Sequence, residues 1–374
     1  MRILRVAQKA YPDVKGGGAY HVHAMSRDQA AMGHDVTVLT VRTDPEQPWL
    51  EERDGYTVVR YDPTITLLGN DLSSGVAQYL LEADDFDVIH AHSHLYFSTN
   101  LAALKSFLGD VPLAITNHGL YSQTAPEWVF DWYLKTAGRW TFNQADVVFC
   151  YTDVDRERLR EFGVKSEIEV VSNGIDTERF APDGPTSDLV DSDGPAVLFV
   201  GRLVEGKRPR TALEAMEGLL EHYPDATLYL FGDGSLRSEL ESYTRENNLE
   251  DAVEFVGSVP YDRMPDVYRS GDALLLPSRS EGMPRTVLEA MSTETPVVSS
   301  RLPQLVQLLP DGNETVEIGD VDGFTTGLTN VFDTQQADTG QLTNRETILE
   351  EHSWHQTATE TTAALSRLVT EGRP

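Results

Sequence analysis

The stretch SRSEGMPRTVLEAMSTETPVVSS, residues 278–300, carries two glutamates, Glu281 and Glu289, on either side of a predicted helix start at Pro284. A run of apolar residues, Ala273–Leu276, precedes it, and the β-branched Val297–Ser299 closes it. Strand, loop, helix and strand in this order form the repeating unit of a parallel α/β sheet. A helix starting at Pro284 leaves the amides of about residues 283–287 as unpaired donors at a positive dipole end, a setting suited to phosphate oxygens. Two glutamates eight positions apart can straddle a nucleotide diphosphate there, each accepting from sugar hydroxyls. Alone the pair is weak, and two exposed helix residues explain it as well.

The same alternation extends outward in both directions. Toward the N-terminus of this half lie strands at Val197–Val200, Thr227–Phe231 and Val253–Val256, with helices at Arg208–His222, Leu236–Asn247 and Met264–Arg269. The first half repeats the pattern with strands at Ile3–Ala7, Val36–Val41, Thr57–Tyr61, Val88–Ala91, Leu113–Asn117, Val147–Tyr151 and Glu169–Ser172. Its helices are predicted at Ala19–Met32, Ser98–Leu108 and Val129–Gln144, and Ser353–Leu368 reads as a final helix. Near-continuous apolar strands alternating with helices predict sheets covered on both faces. Between the halves, FAPDGPTSDLVDSDGPA (180–196) reads as a linker or long loop. Two doubly wound domains follow, with the cleft between them as the expected site.

Composition narrows the chemistry. The 374 residues include 60 acids and 30 bases, a formal charge of −30. Such a field repels phosphate backbones, so nucleic acid is not an expected partner. Of the bases 24 are Arg and 6 are Lys, and acid excess with few lysines suggests adaptation to high salt, which screens the charge. The single Cys150 excludes a disulfide framework and a cysteine-rich zinc site and is expected to pack in a core. No apolar run reaches membrane-spanning length, and the charged start MRILRVA reads as a strand rather than a signal peptide, so a cytoplasmic protein is expected.

Two further loops follow first strands. YPDVKGGGAYH (11–21) offers Gly16–Gly18 for close backbone approach before a helix, and GRLVEGKRPR (201–210) gathers Arg202, Lys207, Arg208 and Arg210. Both suit an anion, most simply a diphosphate. Neither the first loop nor FGDGSLR (231–237) completes the dinucleotide fingerprint, because His21 and Arg237 stand at its last glycine. The acidic pair Asp85 and Asp87 precedes an apolar strand, and His90, His92 and His94 are expected to line a cleft; neither group is expected to hold metal. Trp128, Trp132, Tyr133 and Trp140 fit either core packing of one long helix or an apolar surface contact.

The motifs together, in order from GGGAYHVHAMSRDQAAMGHDVTVLT (16–40) through FDVIHAHSH (86–94), TNHG (116–119), VVSNGIDTERF (170–180) and VGRLVEGKRP (200–209) to the opening stretch, resemble the retaining nucleotide-sugar glycosyltransferases of family 4. That resemblance implies the α/β GT-B fold: two Rossmann-like domains facing across a cleft, residues 1–178 on the acceptor side and 179–352 on the donor side. Residues 353–374 are then a helix returning to the first domain. It implies a hexose-like sugar moved from a nucleoside diphosphate to an acceptor hydroxyl with retention, no cofactor and no metal. A glycan or lipid-linked acceptor, with peripheral contact at the inner membrane face, follows by the same analogy.

The roles it implies fall on named positions. Gly17 and Gly18 face the donor phosphate, and His118 lies beside the transferred sugar. Arg202 and Lys207 pair with the diphosphate. Glu281 binds sugar hydroxyls and Glu289 the ribose. Backbone amides around Gly282, Met283, Pro284, Arg285 and Thr286 hold phosphate and sugar, and Gly257–Val259 faces the base. His118, Glu281, Lys207 and Arg202 stand nearest the reacting bond, while Asn173 and Asp176 shape a turn. Three departures from the family pattern stand out: Glu294 where a glycine is usual, Gln304 where a glutamate is usual, and no glycine pair after Val297–Ser300. The alternatives are a sugar phosphorylase on the same fold and a nucleotide-sugar-binding protein with a degenerate site. A nicotinamide dehydrogenase fits poorly.

Overall fold

Apolar runs too short for helices, each fully buried, account for the architecture of the computed structural model, which describes residues 1–371 apart from 15, 68–69, 121–126 and 337–343. Lys15 of the first glycine loop and the tail 372–374 therefore lie outside the described residues. The chain divides into two compact units.

The first unit comprises the described parts of Met1–Leu120, Glu127–Ser172 and Gln356–Pro374. Its strands are β1 (Arg2–Val6), β2 (Asp35–Val41), β3 (Leu50–Arg53), β4 (Tyr56–Tyr61), a separate hairpin of β5 (Ile65–Leu67) and β6 (Asn70–Leu72), β7 (Val88–His92), β8 (Leu113–Thr116), β9 (Val147–Cys150) and β10 (Glu167–Val170). They order β10-β9-β8-β7-β1-β2-β4-β3, parallel throughout except for the edge pair β3–β4. Every residue of β7, β8 and β9 is buried, because helices cover both faces. The last helix, Trp354–Glu371, packs Ala364, Leu365 and Leu368 with Ile3, Val36 and Val58.

The second unit holds β11 (Ala196–Val200), β12 (Thr227–Phe231), β13 (Val253–Gly257), β14 (Ala273–Leu276), β15 (Val297–Ser300) and β16 (Glu314–Val316). All are parallel, in the order β13-β12-β11-β14-β15-β16. Val197, Leu228, Leu230, Leu275 and Val298 meet Leu213, Met216, Phe324 and Leu328 of the covering helices in one core.

The division falls at Ser172/Asn173 and at His355/Gln356, rather than at 178/179 and 352/353. The reason is hydrogen bonding: Asn173 donates to the Met283 carbonyl at 3.1 Å, Gly174 accepts from Arg285, and Ile175 bridges to Ser353. The stretch 180–196 is not a free linker either. Phe180 is fully buried, and Arg269 donates to the carbonyls of Ala181 and Pro185.

The predicted single helix Val129–Gln144 is interrupted. An α-helix over Glu127–Tyr133 passes through a π turn at Leu134–Gly138 and resumes at Arg139–Phe142. Eight residues of plain α-helix overshoot two turns by about 80°. One extra residue in the π turn absorbs most of that rotation. Trp132 and Trp140 therefore stay near one line, both exposed with Trp128, while Leu134, Gly138 and Phe142 face inward. Core packing thus holds for Phe130 and Leu134 but not for the three tryptophans.

The residue that replaces a usual glycine has a visible cost. The helix Arg285–Ser292 ends with the Thr295 amide donating to the Ala290 carbonyl and the Glu294 amide to the Met291 carbonyl. This bond pattern places a left-handed residue just after the cap, and Glu294 fills that place at φ 61°. A side chain there pays for contact between its Cβ and the backbone. Replacing exposed Glu294 by Gly is expected to raise stability by about 0.5–1 kcal/mol, read as a higher urea midpoint at unchanged slope.

Candidate functional site

Each sheet reverses its winding beside its first strand. In the second unit the chain winds from β11 through β12 to β13, then returns to place β14 on the other side of β11. Loops that follow neighbouring strands diverge at such a point and leave a crevice at the carboxyl ends. The loops after β11 and β14 are Gly201–Lys207 and the segment leading to Pro284, the two stretches singled out above.

Their backbones are locked together. The Leu203 amide donates to the Asp233 carbonyl at 3.0 Å, Leu236 to Leu203 at 3.0 Å, and Arg279 to Gly206 at 2.9 Å. The glycines of FGDGSLR serve this contact rather than a dinucleotide. A Cβ on Gly232 would lie 1.9 Å from the Gly201 carbonyl oxygen, and one on Gly234 2.3 Å from that of Leu203.

Across the crevice Lys207 Nζ meets Glu281 Oε1 at 2.5 Å, with the two side chains 13% and 5% exposed. A short charge-assisted bond between nearly dry partners fixes both heads. Arg202 is exposed and makes no ion pair among the described residues. The rest of the basic cluster turns away. Arg210 pairs with Glu214 and Glu239 and stacks on Tyr243, and Arg208 lies against Gly319.

The helix beside this pair begins at Arg285, with Pro284 as its cap residue. Pro284 is therefore one place outside its expected position, and its carbonyl accepts from the amides of Val287 and Leu288. Gly282, Met283 and Pro284 are buried, and the Thr286 hydroxyl is buried without a hydrogen-bond partner. Gln304, in the place of a usual glutamate, donates its amide to the carbonyls of Glu281 and Gly282 at 2.7 and 2.9 Å. A carboxylate has no hydrogen to give to these carbonyls, so the amide is what holds this loop.

Glu289 is buried, and its surroundings were not legible as a site in the sequence. Tyr261 donates to Oε1 at 2.7 Å and Tyr268 to Oε2 at 2.9 Å. Arg285 donates to the Tyr261 hydroxyl at 2.9 Å and to the Gly174 carbonyl at 3.1 Å. The Arg285 side chain is thus a structural brace, leaving only its backbone for the expected amide cradle. Burial raises the Glu289 pKa, against the pull of Arg285 and the two phenols. Each carboxylate oxygen keeps acceptor capacity for another hydroxyl. Tyr261 and Tyr268 stand seven positions apart in PYDRMPDVY, a helical spacing that was the available signal. Gly257 closes β13 at φ 84° and accepts the Gly232 amide, with Val259 half-buried just beyond.

The first unit reverses between β1 and β7. The helix Gly17–Ala31 opens directly on the glycine loop, with Gly16, Gly17 and Gly18 exposed. A Cβ at Gly18 would sit 3.8 Å from the His118 ring, so the loop and His118 are neighbours. His118 Nε2 lies 3.1 Å from His92 Nδ1, and its Nδ1 lies 2.6 Å from the Tyr151 hydroxyl. His90 stacks beside His92 at 4.4 Å, whereas His94 sits among Phe130, Tyr133 and Phe142. The three are buried in the fold rather than lining an open surface. Among the described residues no three His, Cys, Asp or Glu side chains are grouped to hold a metal ion. Nor is any helix long and apolar enough to cross a membrane. Cys150 is buried, and burial raises its thiol to about 12.

Comparison with known proteins agrees with this geometry. Residues 15–179 match the family described as Glycosyltransferase Family 4, and residues 186–339 match Glycosyl transferases group 1. A glycogen synthase of Mycobacterium tuberculosis is 30% identical over 392 aligned positions, covering 96% of this chain and 93% of its own. An Escherichia coli UDP-Gal:alpha-D-GlcNAc-diphosphoundecaprenol alpha-1,3-galactosyltransferase is 28% identical, over 80% of each chain. Among solved structures, a sucrose-phosphate synthase of Thermosynechococcus elongatus superposes with a TM-score of 0.83 at 21% identity, over 99% of this chain and 100% of the other. Anabaena HepE, solved in complex with UDP-glucose, gives 0.79 at 21% identity, over 98% and 100%. The chain belongs to the glycosyltransferases of these two families, and its fold is GT-B.

The buried histidines set an acid limit. Burial lowers the pKa of His118 and His352 to about 4 and of His94 to about 3, and carries His90 and His92 well below 6.5. The unfolded chain therefore binds more protons below pH 6.5, and stability present at pH 7 is lost as pH falls toward 4. Glu289 and Asp155, raised by burial, act in the opposite sense but are fewer. In about 1 M salt, where general carboxylate repulsion is screened, urea unfolding is expected to give a lower free energy at pH 5 than at pH 7.

Proposed function

We propose that this glycosyltransferase moves a hexose-like sugar from a nucleoside diphosphate to an acceptor hydroxyl, with retention and without a metal. The observation that carries the reading is the Lys207–Glu281 pair at the switch point of the second sheet. A fixed ammonium there is placed for phosphate charge, and a fixed carboxylate beside it for sugar hydroxyls.

Breaking the sugar–phosphate bond builds negative charge on the leaving diphosphate and positive charge on the anomeric carbon. Preorganised cations and amides lower that barrier because they need no reorganisation as charge develops. Lys207, Arg202 and the amides around Gly282–Thr286 supply the first stabilisation, with Gly17 and Gly18 facing the same phosphate. Glu281 orients Lys207 and accepts from the sugar. Glu289, held by Tyr261 and Tyr268, takes the ribose, and Gly257–Val259 the base. His118 borders the sugar. Retention follows if the departing phosphate oxygen takes the proton of an acceptor entering on the same face, a route that asks for no protein base. The names of the relatives mention UDP-galactose and UDP-glucose, so a UDP-hexose is the first donor to try. A phosphorylase would have no use for ribose and base contacts.

Lys207→Ala removes more than a phosphate contact, because it leaves the Glu281 carboxylate buried and unpaired. The single variant is expected to lose fold stability as well as affinity. The pair Lys207→Met with Glu281→Gln avoids the stranded charge. It is expected to keep its melting temperature while UDP affinity falls by about 1.5–3 kcal/mol in calorimetry. Unchanged affinity in that folded double variant rejects the phosphate role.

Turnover is best followed as nucleoside diphosphate released from a panel of sugar nucleotides. Activity is expected to survive excess EDTA and to rise from dilute buffer to molar KCl, since screening relieves the repulsion of a chain at −30. Loss with EDTA that magnesium or manganese restores excludes metal independence. A fall with salt excludes the salt-adapted surface.

A further inference from the structure

Behind the glycine loop of the first unit lies a line of buried polar groups that the transfer reaction, as described, does not use. It starts at Arg5, fully buried in a chain rich in acids yet paired with no carboxylate. Its guanidinium donates to Ser26 Oγ at 2.7 Å and to Gln29 Oε1 at 2.5 Å, and approaches His90 Nδ1 at 3.4 Å. Arginine has no acceptor to offer. His90 Nδ1 is therefore the acceptor, and its Nε2–H donates to Thr116 Oγ1 at 2.7 Å.

The next two imidazoles can be ordered in the same way. A phenol is a good donor and a poor acceptor, and an unprotonated imidazole nitrogen is the strongest acceptor in this neighbourhood. At 2.6 Å the Tyr151 O–H donates to His118 Nδ1. A neutral imidazole carries one proton, so His118 holds its own on Nε2 and donates it to His92 Nδ1 at 3.1 Å. His92 then carries its proton on Nε2, which makes no hydrogen bond among the described residues. Both rings stay neutral near pH 7, since burial and the charge of Arg5 oppose a second proton on His92, and burial alone brings His118 to about 4.

We infer that Tyr151 is a positioning residue for glycosyl transfer: its hydroxyl fixes the tautomer and the orientation of the His118 ring on which the Gly18 turn rests. Without the phenol donor both His118 tautomers become accessible, and the one with a proton on Nδ1 cannot keep its present bond to His92 unless that ring also switches. The inference rests on the reading that His118 borders the transferred sugar. It assigns a role to Tyr151, at the carboxyl end of β9, 6% exposed, where no charge or motif marks it.

The test is Tyr151→Phe, which keeps the ring and removes one oxygen. Nitrogen-15 spectra of histidine-labelled protein are expected to show His118 in the wild type with Nδ1 unprotonated and Nε2 protonated. In the variant they are expected to show a mixture of tautomers, at a melting temperature close to wild type. With the best donor sugar nucleotide, kcat is expected to fall about tenfold, the equivalent of ~1.4 kcal/mol, while KM for the donor moves less than twofold. His118 protonated on Nδ1 in the wild type overturns the inference. So does a tautomer unchanged in Tyr151→Phe, or a changed tautomer with unchanged kcat. The spectra need no substrate. A wild-type protein with the expected tautomer that turns over no sugar nucleotide refutes the transferase reading and, with it, the reaction Tyr151 would serve.

Discussion

Parallel pairing forces the chain to re-enter each sheet at the same edge, so every strand of a unit delivers its following loop to the same side. Only β3 departs from this in the two large sheets. The reversal beside β1 and beside β11 then separates two of those loops, and the residues with chemical potential lie on them. Gly16–Gly18 follows β1, the histidines end β7, Lys207 follows β11 and Glu281 follows β14. The buried ladders and covering helices therefore do two jobs: they form the core and they bring distant segments into one crevice.

Within that frame, charge is handled sparingly inside and freely outside. Lys207 and Glu281 satisfy each other in a nearly dry setting, so each is costly to remove singly. Arg60 is similarly enclosed, between Asp13 and Glu51 at 2.8 and 2.7 Å, and this knits the loop after β1 to β3 and β4. Arg5 is the exception. Neutral acceptors disperse its charge, and desolvation lowers its pKa to about 9, which still leaves it cationic at neutral pH. A positive charge without a counter-ion beneath a row of imidazoles gives the first unit a fixed electrostatic bias that folding alone does not require.

Much of this was legible in the residues themselves. The strand cores, the two glycine-bearing loops and the paired glutamates could be placed because their signals are local: apolar runs, turn residues, and spacing along one helix. What was missed depends on long-range contact. Tyr261 and Tyr268 become part of the Glu289 environment only when the segment before β14 folds against the helix Arg285–Ser292. Gln304 looked like a defect in the sequence, whereas in the fold it supplies hydrogens to two carbonyls. Tyr151 sits in an apolar strand end with no polar neighbour in sequence that hints at His118. The boundary at Ser172 was hidden for the same reason, since 173–180 has loop composition but bonds to the second unit. The one long helix failed because periodicity over sixteen residues cannot register a single inserted residue.

That inserted residue bears on how this helix tolerates changes in length. A π turn is an α-helix that has accepted one residue too many without losing its ends. Deleting any one position between Leu134 and Gly138 would restore an ordinary helix and turn everything after it by about 100°. Phe142 would swing out of the core and Trp140 would lose its alignment with Trp132. The segment thus stores a past insertion as a rotational setting, and its length is fixed by the two faces it must keep apart.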